Sequence, residues 1–138
     1  ADAPLKTTAS VVIPAHNEAN VISRSLRSLL ADAEPGEFEI VVVANGCTDS
    51  TATVAAEFSP AVGVLEIDTA SKTAALNAGD AEVSAFPRAY MDADVEVSAA
   101  TIRGVAALLR EGPALSAALS RLAIRVAVQK GPQVRHAV

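Results

Sequence analysis

Two carboxylates stand one residue apart in Tyr90-Met91-Asp92-Ala93-Asp94, at the end of a short apolar run. Alternate residues of a strand share a face, so a strand that frays here sends both carboxylates to one point beyond its tip. Paired hard oxygen donors at a strand's carboxyl end suit a magnesium or manganese ion that also holds phosphate oxygens. The simpler reading is a pair of solvated acids entering a loop, because Asp-x-Asp is common. Only the surroundings of the pair separate the two readings.

Those surroundings repeat one pattern. Residues 9–14 form a short apolar run ended by Pro14, which suits a strand buried on both faces. The polar loop Ala15-His16-Asn17-Glu18 follows, and residues 19–31 then place Val21, Ile22, Leu26, Leu29 and Leu30 at helical spacing, with Asn17 as a candidate cap. Residues 38–44 read as a second buried strand, Asn45-Gly46 as a turn, and Thr48 or Asp49 as the cap of a helix running to about Phe58. A third strand is expected at 62–67, a helix from Ser71 through Ala81, a fourth strand at 86–91 and an amphipathic helix from Ser98 to Arg110. Beyond Pro113 the pattern weakens. Residues 114–129 read first as an Ala-rich helix, although residues 122–128 also alternate like a strand, and 131–138 read as a loosely held tail.

Strands and helices that alternate with short connections predict an α/β layered fold with a mostly parallel sheet, helices on both faces and right-handed crossovers. Ligands of such sheets bind beyond the carboxyl ends of the strands. The polar loops at 15–18, 45–49 and 92–96 each follow a strand directly, so they are expected to gather at one edge.

Composition sets the bounds. The 138 residues are enough for one domain, and 51% of them are hydrophobic, enough for a core. Only 3% are aromatic, which favours close-packed helices on a sheet over an aromatic binding platform. A net charge of −5 without any basic run argues against nucleic acid as a partner. An acidic chain that binds an anionic phosphate ligand needs a cation or backbone dipoles to do so. The single Cys47 excludes an intrachain disulfide and a multi-cysteine zinc site, and its place after Asn45-Gly46 reads as a small turn residue. No apolar stretch reaches the roughly 18 residues of a membrane-spanning helix. Ala1-Asp2-Ala3-Pro4 lacks the charged-then-apolar pattern of a signal peptide. A cytoplasmic protein, or a cytoplasmic part of a larger one, is the expectation.

Four motifs then fall in order. They are Val-Val-Ile-Pro-Ala-His-Asn-Glu at 11–18, Glu-Ile-Val-Val-Val-Ala-Asn-Gly-Cys-Thr-Asp-Ser-Thr at 39–51, Lys-Thr-Ala-Ala-Leu-Asn-Ala-Gly at 72–79, and the Asp pair at 90–94. Together, over roughly residues 9 to 112, they closely resemble the nucleotide-sugar-binding half of family 2 glycosyltransferases, which have a Rossmann-like fold called GT-A. The resemblance implies that Pro14, Ala15, His16 and Glu18 line a base and ribose pocket, with His16 stacking on the base and Glu18 accepting from ribose hydroxyls. It implies Asp94 as the more direct ligand of a divalent cation, Mg²⁺ or Mn²⁺, and Asp92 as a ligand of the metal or the ribose. Lys72 reads either as a phosphate partner or as a solvated lysine, and Asn77 as a brace near the Asp pair. The second motif departs from the commoner pattern, which has two acids before the glycine where this chain has Ala44 and Asn45. Asn45 can still hydrogen-bond a base edge through its amide. Asp49 is expected to cap a helix rather than touch ligand.

The implied chemistry is transfer of a sugar from a nucleoside diphosphate to the hydroxyl of an unknown acceptor. The family's catalytic base is a carboxylate in the second half of the domain. After Glu96 the only acid is Glu111, at the end of a predicted helix, so the catalytic residue is left unassigned. Residues 1–138 thus read as a single nucleotide-sugar-binding domain without much of the acceptor-binding half, expected to bind donor but to transfer sugar slowly. An apolar sheet edge left open would favour a homo-oligomer. Nothing in the chain argues against peripheral association with a membrane.

Competing readings are weaker. Asp-x-Asp-x-Val also opens haloacid-dehalogenase-like phosphatases, but no later acidic pair follows Lys130. A nucleotidyltransferase of related architecture would carry Gly and Lys in the loop that here reads Ala-His-Asn-Glu. A non-catalytic sugar-nucleotide-binding module fits the same motifs. A dinucleotide-binding domain would need a Gly-x-Gly-x-x-Gly after the first strand, which is absent.

Overall fold

The computed structural model describes residues 7–111 and 126–129. The chain order is β1 (Ala9–Ala15), α1 (Ile22–Leu30), β2 (Phe38–Asn45), α2 (Thr51–Ala56), β3 (Val62–Ile67), α3 (Lys72–Glu82), β4 (Arg88–Met91), α4 (Ala99–Glu111) and β5 (Val126–Gln129). The strands lie in the order β3-β2-β1-β4-β5. The first four are parallel, with Val12 opposite both Val41 and Tyr90, and β5 pairs antiparallel with β4. This is the expected mostly parallel α/β sheet.

Its two faces follow from strand periodicity. Val11, Ile13, Ile40, Val42 and Met91 point to one face, where Ile22, Leu26 and Leu29 of α1, Ala55 of α2 and Ile102 of α4 cover them. Val12, Val41, Val43 and Tyr90 point to the other face, under Ala75 of α3. The handedness of crossovers explains the split. The chain moves outward from β1 to β2 to β3 with α1 and α2 on one face. It then reverses past β2 and β1 to β4, and a right-handed crossover in the reverse direction puts α3 on the opposite face. Gly79 lets α3 approach β1 closely, because a Cβ there would lie 2.3 Å from Cγ1 of Val12.

Two local expectations are corrected. Asn17 does not cap α1, which starts later, at Ile22, after a turn in which the Glu18 carbonyl accepts from the N–H of Val21 and Ile22. Asn17 is instead in the left-handed region (φ 51°), which Asn tolerates better than most residues, and its side chain is used across the loops. Residues 126–129 are a strand, not the end of an Ala-rich helix. Pairing with the otherwise open side of β4 outweighs the helical propensity of alanine there. The remainder of that predicted helix and the tail at 131–138 lie outside the described residues. The cap of α3 is as expected, with Ser71 Oγ accepting from the N–H of Ala74 at 3.1 Å. Among the described residues no helix is long and apolar enough to cross a membrane.

Candidate functional site

Because β1, β2 and β4 are parallel, the loops that leave them emerge on the same edge of the sheet. The strand order also reverses direction at β1, whose neighbours are β2 and β4, and the crevice at such a reversal is where open α/β sheets bind ligands. A cleft of about 440 Å³ lies there, lined by Pro14, His16, Glu18, Asn45, Ala70, Lys72, Asp92, Ala93 and Asp94. Eight residues were singled out from the sequence, and seven of them meet on its wall. Ala15 is the exception. Its side chain is buried in the core, and its carbonyl serves the loop instead, accepting from Asn45 Nδ2 and Cys47 Sγ.

The first two loops are laced together by their own side chains and backbone. Asn17 Oδ1 accepts from the N–H groups of Thr48 and Asp49, at 2.8 and 3.3 Å. Asp49 Oδ2 accepts from Ala19 N–H at 3.2 Å, and buried Thr51 takes the N–H of Glu18 on its hydroxyl at 2.9 Å. The Thr51 hydroxyl in turn donates to Asp49 Oδ1, which also accepts the first-turn N–H of α2 from Thr51 at 3.0 Å. Asp49 therefore serves the helix start, as expected, although from one residue further out. The hydroxyl of Thr51 is the main reason that the Asp49 carboxyl is held below the usual carboxylate range. Cys47 is a small turn residue, as its neighbours suggest. Gly46 turns the chain at φ 58°, where a Cβ would strike Ala70 at 2.6 Å. The roles of Asn17 and Thr51 escape a reading by sequence, because each depends on a partner about 30 residues away.

This lacing orients the pocket residues. His16 Nδ1 lies 2.8 Å from the Asn45 carbonyl, which can only accept, so Nδ1 carries a proton and a neutral ring presents Nε2 as an acceptor. Asn45 donates from Nδ2 to the carbonyls of Ala15 and Val43, at 3.1 and 3.3 Å. Its amide N–H groups are thus committed to the backbone, and of the expected base-edge contacts only acceptance by Oδ1 remains.

The Asp pair sits as strand fraying requires. Ala93 packs into the core, Asp92 is half-buried and Asp94 is exposed at the mouth. The chain beyond them is pinned by Ser25 Oγ on the Val95 carbonyl at 2.7 Å, and α4 is started by Asp32, whose carboxylate accepts from the N–H of Ala99 and Ala100. Lys72 is largely exposed, but its ammonium is already engaged within the cleft. Its Nζ lies 2.8 Å from Asp92 Oδ1. Two carboxylates are too few to cage an ion, and among the described residues no group of three His, Cys, Asp or Glu could do so. That donor set fits a hard cation that takes its remaining ligands from water and phosphate, as Mg²⁺ does. A second cleft of similar volume lies at the opposite edge, lined mainly by apolar residues such as Leu30, Phe38, Ile40 and Pro60. It offers no comparable set of polar groups.

A parallel sheet with an acidic, polar cleft at its point of reversal is the architecture of nucleotide-binding α/β proteins. The sequence model of glycosyl transferase family 2 matches residues 10–137, and the chain belongs to that family. It is 36% identical over 90 residues to glycosyltransferase AglE of Haloferax volcanii, a match covering 62% of this chain and 30% of AglE. Among solved structures, S. aureus TarS 1–349 in complex with UDP-GlcNAc superposes with a TM-score of 0.68 at 25% identity, over 76% of this chain and 32% of that one. A mannosyltransferase from Pyrobaculum calidifontis in complex with GDP-Man and Mn²⁺ gives 0.56 at 26% identity, over 66% and 28%. The chain thus spans about a third of the length of the relatives that it matches.

Proposed function

We propose that this chain is the donor-binding domain of a glycosyltransferase and that the cleft at the carboxyl edge holds a nucleoside-diphosphate sugar. One observation carries the reading: residues from four separate motifs, His16, Asn45, Lys72 and the Asp pair among them, line one cleft at the reversal of the sheet. Bound UDP-GlcNAc in one structural neighbour and bound GDP-Man with Mn²⁺ in another support it.

In this reading Pro14, His16 and Asn45 hold the base, with the His16 ring as a stacking surface and Asn45 Oδ1 as an acceptor. Glu18 accepts from ribose hydroxyls. Asp94, with Asp92, would hold a divalent cation. Such a cation, when bound, stabilises the negative charge that develops on the departing nucleoside diphosphate. Lys72 supplies a further positive charge beside the same oxygens. The loops are fixed in advance by Asn17, Asp49 and Thr51, so little ordering remains to oppose binding. The acceptor and the base that deprotonates it are not assigned to any described residue.

Calorimetry with UDP, GDP and CDP, each with and without Mn²⁺, tests this reading. Binding of at least one nucleoside diphosphate that requires Mn²⁺ is expected. Equal binding without metal, or none in either condition, would refute it.

A further inference from the structure

The salt bridge between Lys72 and Asp92 has a consequence for the order in which ligands can enter. Lys72 is the first residue of α3, and its side chain is 64% exposed, whereas that of Asp92 is 27% exposed. The helix beneath Lys72 is fixed. Gly79 is seated against Val12 without room for a Cβ, and Asp80 is bonded to Arg88 and Tyr90 of β4. The freedom to move therefore lies in the lysine side chain, not in its backbone. Its ammonium lies on Asp92 Oδ1, on a carboxylate that the proposed function gives to the divalent cation.

We propose that Lys72 is a placeholder cation that couples metal binding to diphosphate binding. This rests on the reading of the cleft as a nucleoside-diphosphate site. A divalent ion arriving alone must displace the ammonium from Asp92 and leaves it without an anionic partner, beside a second positive charge. An ion arriving with a diphosphate offers the ammonium a phosphate oxygen in exchange, so one charge-assisted hydrogen bond replaces another. Each ligand then strengthens the other, and the coupling is reciprocal. Bare metal binds poorly, and the acidic mouth is not filled by free cations between turnovers.

The test measures Mn²⁺ binding alone, by the loss of the free-ion electron paramagnetic resonance signal, and nucleoside-diphosphate binding at saturating Mn²⁺. Both are done for the wild type, Lys72→Met and Lys72→Arg. Lys72→Met is expected to tighten Mn²⁺ binding about two- to fivefold, the range set by an exposed ion pair. It is expected to weaken nucleoside-diphosphate binding about tenfold or more, through loss of a bond to a charged group. Lys72→Arg is expected to return both values toward the wild type. A lysine that serves phosphate alone would lower diphosphate affinity and leave Mn²⁺ affinity unmoved, and that result overturns the placeholder while sparing the site. A wild type that binds no nucleoside diphosphate in Mn²⁺ overturns both. Melting curves that match the wild type establish that each variant is folded, because the exposed side chain holds no core position.

Discussion

One end of α3 is tied to β4 and the other to Asp92 just beyond it, and they are tied in opposite ways. Away from the cleft, Arg88 is 5% exposed and donates to Asp80 Oδ1, Ser10 Oγ and the Val83 carbonyl, each at 3.1 Å, with its guanidinium 4.0 Å over the Phe86 ring. Tyr90 adds a hydroxyl bond to the same Asp80 oxygen at 2.9 Å. Burial, reinforced by that carboxylate, pushes the Tyr90 phenol well above its ordinary range. At the cleft, one exposed lysine meets one half-buried aspartate. A buried charge with its bonds filled is costly to disturb, whereas an exposed pair contributes little and is easily exchanged. The first end holds the helix in place. The second end holds a charge in reserve.

The largest expected effect comes from breaking the buried end. Arg88→Met takes the cationic partner from Asp80 and removes the bonds to Ser10 and the Val83 carbonyl, and should cost about 3 kcal/mol of stability. Urea denaturation checks this, and the residual folded protein should bind nucleoside diphosphate with nearly unchanged affinity. Asp94→Ala should behave in the converse way. It should leave the urea midpoint in place and lower Mn²⁺-dependent nucleoside-diphosphate affinity by about a hundredfold or more, beyond what loss of a supporting residue costs. Calorimetry in Mn²⁺ measures it, and unchanged affinity would remove the metal role of Asp94.

Smaller changes sharpen the contrast. Tyr90→Phe removes one bond from a carboxylate that Arg88 still satisfies, so a loss of about 0.5–1.5 kcal/mol is expected by the same denaturation series. Acid should also act through Glu39 of β2, which holds the segment leading into β4. Burial raises its carboxyl, but hydrogen bonds from the N–H groups of Ala85 and Ser84 and from the Ser84 hydroxyl outweigh it and hold the carboxyl below the ordinary range. A depressed carboxylate stabilises the fold above its unfolded pKa and loses that contribution as pH falls through the folded value. The melting temperature of the wild type should therefore drop more steeply below the ordinary carboxylate range than that of Glu39→Gln.

The same contrast explains what could be read from the sequence. The apolar runs that became β1, β2 and β4 were legible because strands buried on both faces need unbroken hydrophobic stretches. The gathering of His16, Asn45 and the Asp pair was legible because a parallel sheet leaves no other place for loops that follow strands. The lysine–aspartate pair was not, although topology holds the clue. A helix that returns antiparallel to its strand brings its first residue beside the strand's carboxyl end, and so Lys72 beside Asp92, the residue after β4. The contacts of Asn17 and Thr51 were hidden for a related reason, since residues chosen to lace two loops look like ordinary cap and turn residues in each loop alone. Strand β5 was obscured because its pairing partner, not its own alanine content, decides its conformation.

Manganese is paramagnetic, and it broadens the amide signals of the residues nearest to it, which makes it a direct probe of the central claim. In ¹⁵N-labelled protein with a bound nucleoside diphosphate, added Mn²⁺ should erase the signals of Ala70, Ala93 and Asp94. Those of Gly36, Phe38 and Ala61, around the apolar cleft at the other edge, should persist. Broadening centred on the second cleft, or spread evenly over the acidic surface, would contradict the assignment of the carboxyl-edge cleft as the metal and diphosphate site.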